Sequence, residues 1–113
     1  MRALSAERLL GLPVRLNGIE LGRPVDILLD PVEWRALGFE IRCGDDARRF
    51  LAWATVTIRE DELEIVSALF LLEDVDFYRT RARSLRGLGL LDDVLVGEDG
   101  TVDFSPEPTP TGC

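Results

Sequence analysis

The sequence predicts a mainly β chain: a small antiparallel barrel with one short helix and a C-terminal hairpin. Three observations predict it. Apolar residues alternate along several short runs between positions 9 and 69, turn-forming residues punctuate those runs, and the segment 73–83 changes to helical spacing. The length of 113 residues suits one domain, and a hydrophobic content of 46% is enough for a core without disulfides or metals.

Ser5 caps a helical turn over 6–10 that Gly11 ends. A first strand at 14–16 meets the tight-turn pair Asn17 and Gly18, and 19–21 is its return. Gly22, Arg23 and Pro24 are expected to interrupt the ladder before it resumes over 25–30, with Val25, Ile27 and Leu29 on one face and Asp26, Leu28 and Asp30 on the other. Asp30 and Pro31 break that strand. The run 34–44 then points Leu37, Phe39, Ile41 and Cys43 one way and Glu40 and Arg42 the other, as in a half-buried antiparallel strand.

After the turn at Gly44, Asp45 and Asp46, the segment 49–59 is predicted as one strand. Phe50, Ala52, Ala54, Val56 and Ile58 form one face; Leu51, Trp53, Thr55 and Thr57 form the other. A strand apolar on both faces is central or covered. Glu60 and Asp61 turn the chain into a further strand at 63–69. In 73–83, Val75, Tyr78 and Ala82 recur at helical spacing, continued by Leu85; Asp74 is the cap, and the arginines fall late, where they suit the negative end of a helix dipole. A hairpin follows, 91–96 with 101–104 around Gly97 to Gly100, and then a proline-rich tail, SPEPTPTGC.

LGRPVDILLD at 21–30 can be laid on LGLLDDVLVG at 88–97 with constant offset, matching Gly22 to Gly89, Asp26 to Asp93 and Leu28 to Leu95. Two ordinary hairpins that look alike, or a partial duplication, account for this equally well.

The chain carries a net charge of -8, and all thirteen of its basic residues are arginine. That balance opposes binding to phosphates, so nucleic acid is not the expected partner; the cluster Arg79, Arg81, Arg83 and Arg86 is the one feature that favours it. There is no histidine, which removes the commonest general base and the commonest metal ligand. The acidic pairs at 45–46, 60–62, 74–76 and 92–93 sit at turns or strand ends and read as solvated charges. No calcium loop or phosphate-cradling glycine motif is present. No catalytic, cofactor-binding or metal-ligating residue is therefore expected.

Of the two cysteines, Cys43 reads as a small core residue, and its pairing with Cys113 has no support from spacing. A reduced, cytoplasmic protein is the simpler account. Glu7 and Arg8 interrupt what would be a signal-peptide core, and no apolar run, 68–72 included, exceeds five residues, so no membrane-spanning segment is expected.

The order LLGLPV at 9–14, LGRPVDILLD, ALGFEIR, RFLAW at 49–53 and ELEIV at 62–66 resembles the PRC-barrel family, the β-barrel shared by the photosynthetic reaction centre H subunit and the ribosome maturation factor RimM. The resemblance covers about two thirds of the chain. It implies a PRC-barrel-like domain over 1–83; the internal echo adds the expectation of a partial second unit over 84–104 that packs on the barrel or swaps with a neighbour's, and the proline-rich composition that of a disordered tail over 105–113. It also implies a binding scaffold, since the family shares no catalytic residues to carry over. No counterpart of the reaction-centre membrane anchor or of RimM's separate N-terminal domain is expected in this chain.

The expectation is a non-enzymatic protein-interaction or adaptor module that self-associates as a homodimer, its protein partner otherwise unidentified. The expected interface residues are Trp53, Tyr78, Leu91, Val94, Val96 and Phe104. Trp53 needs cover from the helix, the hairpin or another molecule, and Trp34 follows a proline turn at the barrel mouth. An RNA- or ribosome-associated factor, by analogy with RimM, is the alternative. A small-ligand carrier or enzyme is a third reading and rests only on a barrel cavity.

Overall fold

In the structure, a computed structural model that describes residues 3–89, 94–97 and 99–103, the chain opens with β1 (Ala3–Ser5) and passes directly into α1 (Ala6–Leu10). The Ser5 side chain accepts from the Arg8 amide, and Gly11 closes the helix with its amide on the Arg8 and Leu9 carbonyls. Ala6 and Leu9 are its buried residues.

β2 (Val14–Leu16) and β3 (Ile19–Leu29) form the expected hairpin. Asn17 and Gly18 both take left-handed backbone, φ 52° and 81°, which matches the right-handed twist of the flanking strands. The interruption expected at Gly22, Arg23 and Pro24 does not occur: β3 runs through them for 11 residues. A register shift against the next strand, at Pro24/Asp26, absorbs the proline, and another at Val14/Arg15 lies opposite Leu21. Gly22 is needed there, because a Cβ would stand 2.6 Å from the Arg42 carbonyl oxygen.

β4 (Ala36–Cys43) pairs antiparallel with β3. A third shift, between Leu28 paired with Gly38 and Leu29 paired with Ala36, leaves Leu37 as an extra residue. Leu37 therefore turns away from Phe39, Ile41 and Cys43, contrary to the alternation, and packs with Leu28, Phe50 and Val75.

The strand expected over 49–59 is two strands. β5 (Arg48–Ala52) ends in a 3-10 turn at Trp53–Thr55, where the Thr55 hydroxyl donates to the Ala52 carbonyl at 2.7 Å; β6 (Thr57–Ile58) resumes beyond it. The strand expected over 63–69 shortens to β7 (Leu63–Ile65) for a similar reason. Ser67 accepts from the Leu69 amide and starts a second 3-10 turn, Ala68–Phe70, before β8 (Leu71–Leu72) returns to β5. α2 (Val75–Arg81) is capped by Asp74 as expected, and β9 (Arg83–Ser84) lies along the end of β3.

The larger sheet has the order β6-β7-β2-β3-β4-β5-β8, with β9 on β3 and β7 parallel to β2. It is mainly β and strongly built, but it does not close into the expected barrel. The two 3-10 turns explain this, because they leave β6 and β8 two residues each and unpaired with one another. A second, three-stranded sheet joins β1 to the hairpin of β10 (Leu95–Gly97) and β11 (Val102–Asp103). In the internal echo, Gly22 lies within β3 whereas its counterpart Gly89 turns with φ 73°. Leu91, Phe104 and the tail 105–113 lie outside the described residues.

One core cluster joins both sheets and α1: Leu9, Val14, Ile27, Leu29, Phe39, Ile41, Leu51, Leu63, Ile65, Leu85, Val94 and Val96 are all buried in it. A smaller cluster of Leu28, Phe50 and Val75 lies on the other face of the sheet, beneath α2.

Candidate functional site

The face under α2 holds the two buried carboxylates of the described residues, Asp26 and Glu40, which are cross-strand partners on β3 and β4. Glu40 accepts from Arg48 at 2.8 Å and from two nitrogens of Arg79, at 3.0 and 2.8 Å. Burial pushes its carboxyl up, but the hydrogen bonds and charges of Arg79 and Arg48 together outweigh burial and hold it below the usual glutamate range. Arg79 also pairs with Asp76 at 2.6 Å. Asp26 accepts from its neighbour's amide, Ile27, at 2.8 Å, from the Arg86 amide at 2.9 Å and from the Ser84 hydroxyl.

A cleft of about 390 Å³ opens between Val25, Asp26, Glu40, Arg48 and Arg86. Its carboxylates are poor candidates for proton transfer, because a general base must present an open lone pair to its substrate. Both oxygens of each are already held by fixed donors. The arrangement is a strut: it clamps α2 to β4 and the β9 turn to β3. Among the described residues, no group of three or more His, Cys, Asp or Glu side chains is placed to hold a metal ion. No helix among them is long and apolar enough to cross a membrane.

The sequence reading missed this network. Its signal was a charge at mid-strand beside an element apolar on both faces, since any carboxylate there must be buried with a partner.

The arginine cluster is largely engaged by the fold. Arg79 clamps Glu40, Arg81 donates to the Phe77 carbonyl and sits 3.9 Å over the Phe77 ring, and Arg86 donates to the Val25 carbonyl at 2.6 Å. Arg83 lies 5.9 Å from the Trp34 ring centroid.

The expected interface residues separate. Trp53 is buried in the main core, stacked on Phe39 at 5.1 Å, so its cover comes from its own chain. Val94 and Val96 are buried in the same cluster. Tyr78 stays half-buried: it stacks on Phe50 at 3.9 Å and meets Phe77 edge-on at 5.1 Å. Phe50 pairs across the strands with Leu72. This line of apolar side chains, Phe77, Tyr78, Phe50 and Leu72, reaches the edge strand β8, and Leu69 just before it is 85% exposed.

No protein-family model, curated protein or solved structure matches this chain.

Proposed function

We propose that this chain is a non-enzymatic, PRC-barrel-like protein-interaction module that acts in the cytoplasm and self-associates through the β8 edge. One observation carries the reading. β8 is hydrogen-bonded to β5 on one side, ends the sheet on the other among the described residues, carries the exposed Leu72, and is preceded by the exposed apolar residues Val66 and Leu69. An apolar edge strand is a template for a further strand. A second copy satisfies it symmetrically, because two identical edges meeting about a two-fold axis present the same groups to each other. Tyr78 and Phe77 extend the contact along α2. The PRC-barrel resemblance supports an adaptor role, and the spent lone pairs of Asp26 and Glu40 support a module without acid–base chemistry.

Sedimentation of the whole chain tests this. A dimer at micromolar concentration is expected, and the double variant Leu69→Asp, Leu72→Arg should convert it to a folded monomer. A wild-type chain that stays monomeric throughout that range defeats the reading.

A further inference from the structure

Three arginines stand in a row across the larger sheet. Arg23 of β3 is directly opposite Arg42 of β4, and Arg42 is directly opposite Arg48 of β5. Opposite residues share a face, so the row lies on the side that carries Asp26, Glu40 and Phe50 at the next rung. Like charges set opposite one another destabilise a sheet unless each finds an anion. The chain supplies one carboxylate to each. Arg23 donates to Glu20 at 3.2 Å, Arg42 to Asp46 through Nε and Nη2 at 3.1 and 2.9 Å, and Arg48 to Glu40 at 2.8 Å.

The remaining donors are spent unevenly. Arg79 on α2 uses all three nitrogens, Nε and Nη2 on the two oxygens of Glu40 and Nη1 on Asp76. Among the described residues, Arg48 donates through Nη1 alone, and the Arg86 side chain through Nε alone, to the Val25 carbonyl. Arg48 keeps its Nε–Nη2 edge, the edge with which Arg79 grips Glu40. Arg86 keeps its Nη1–Nη2 edge. Both side chains line the cleft of about 390 Å³ over Asp26 and Glu40. Both are also fixed in place: Glu40 holds the Arg48 guanidinium, and the Asp26 carboxylate accepts from the Arg86 amide at 2.9 Å.

This chemistry selects the ligand. A cation finds both carboxylates of the cleft already taken by fixed donors. A planar anion with two oxygens matches the paired N–H groups of a guanidinium. A doubly charged phosphate meets stronger repulsion from Asp26 and Glu40 beneath it and from a chain of net charge -8. The volume is at the small end of ligand sites, about 300–1,000 Å³, and suits a carboxyl group on a short stem.

We propose that the cleft between Arg48 and Arg86 is a binding site for a singly charged carboxylate group, held side-on by Arg48 and closed over by Arg86. The site uses no residue of the β8 edge, so the proposal does not depend on self-association.

Titration followed on the arginine Nε–H signals by NMR tests it. N-acetylglycine offers a terminal carboxylate, and a capped Gly-Glu-Gly peptide offers a side-chain one. At least one of them is expected to shift the Arg48 Nε–H signal with a Kd of about 1 mM, and the tighter of the two names the source of the group. Arg48→Lys keeps the charge beside Glu40 but loses the side-on edge, and Arg86→Met removes the second guanidinium. Each should weaken binding about tenfold, read on whichever of the two arginine signals remains. Arg59→Met takes the same charge from the β6 end of the sheet and should leave binding unchanged. The indole signal of buried Trp53 reports an intact fold in every variant, and if Arg48→Lys does not fold, Arg86→Met decides. No shift with either probe at concentrations about tenfold above the expected Kd overturns the proposal. Undiminished binding to Arg86→Met overturns it too, as does equal weakening by Arg59→Met, which reduces the effect to net charge. Tighter binding of inorganic phosphate than of either carboxylate also overturns it, by assigning the cleft to a different anion.

Discussion

The two faces of the sheet made by β3, β4 and β5 are built on different physics. One face carries Ile27, Leu29, Phe39, Ile41 and Leu51 into a core that is apolar throughout and shared with the second sheet. The other carries Leu28, Phe50 and Val75 beside the buried pair Asp26 and Glu40 and their arginines. Burial without direction holds the first face together. The second adds directional bonds, and these decide where one helix lies. A purely apolar contact lets α2 slide or rotate at small cost, whereas a guanidinium with two nitrogens on one carboxylate has a single good geometry. The mixed face is also the one whose apolar line runs out to an exposed edge.

Substitutions on the two faces should separate these contributions. Phe39→Ala removes the central ring of the apolar face and its stack on Trp53; it is expected to cost about 3–5 kcal/mol in urea unfolding. Glu40→Ala on the opposite face should cost less, about 2–3 kcal/mol, because Arg48 and Arg79 are each nearly half exposed and regain water when the carboxylate goes. A double-mutant cycle between Glu40→Ala and Arg79→Met should return a coupling of about 1 kcal/mol or more, and a coupling near zero removes the directional clamp from the account.

The same clamp has a pH signature. The folded Glu40 carboxyl titrates below its ordinary value, so its contribution to stability is complete above that value and is lost as pH falls through the lower folded value. Stability measured down through the acid range should therefore fall less steeply in Glu40→Gln than in the wild type. The smallest expected effect is at the exposed end of the line. Phe77→Ala should cost about 0.5–1 kcal/mol, chiefly the contact with Arg81 and the edge of Tyr78.

Where a feature depends on near neighbours in the chain, the residues announce it. Ser5 and Gly11 bound α1, Asn17 and Gly18 form the first hairpin turn, Asp30 ends β3 and Asp74 caps α2, each by bonds spanning a few residues. The apolar alternation likewise put Phe39 and Ile41 on one face, and both lie in the core; in the next strand it left open which face is inward, and the core takes Leu51 whereas Phe50 lies on the other side. Where a feature depends on register, the pattern misleads. Leu37 reads as a core partner of Phe39 until a bulge against β3 turns it to the other face. The runs 49–59 and 63–69 read as continuous strands until Thr55 and Ser67 draw the backbone into 3-10 turns. Tyr78 could be assigned to a helix, but its stack on Phe50 joins residues 28 positions apart and has no trace in spacing.

The sequence alone determined a mainly β chain, its caps and turns, and most of the side chains that fill its interior, because those follow from local backbone preference and from the two-residue period of a strand. Tertiary structure decided that the sheet stays open, that Trp53 faces inward and that Asp26 and Glu40 stand together among arginines. Those outcomes depend on which strands meet and in what register, and a single-residue shift in register reverses the face on which every later side chain falls.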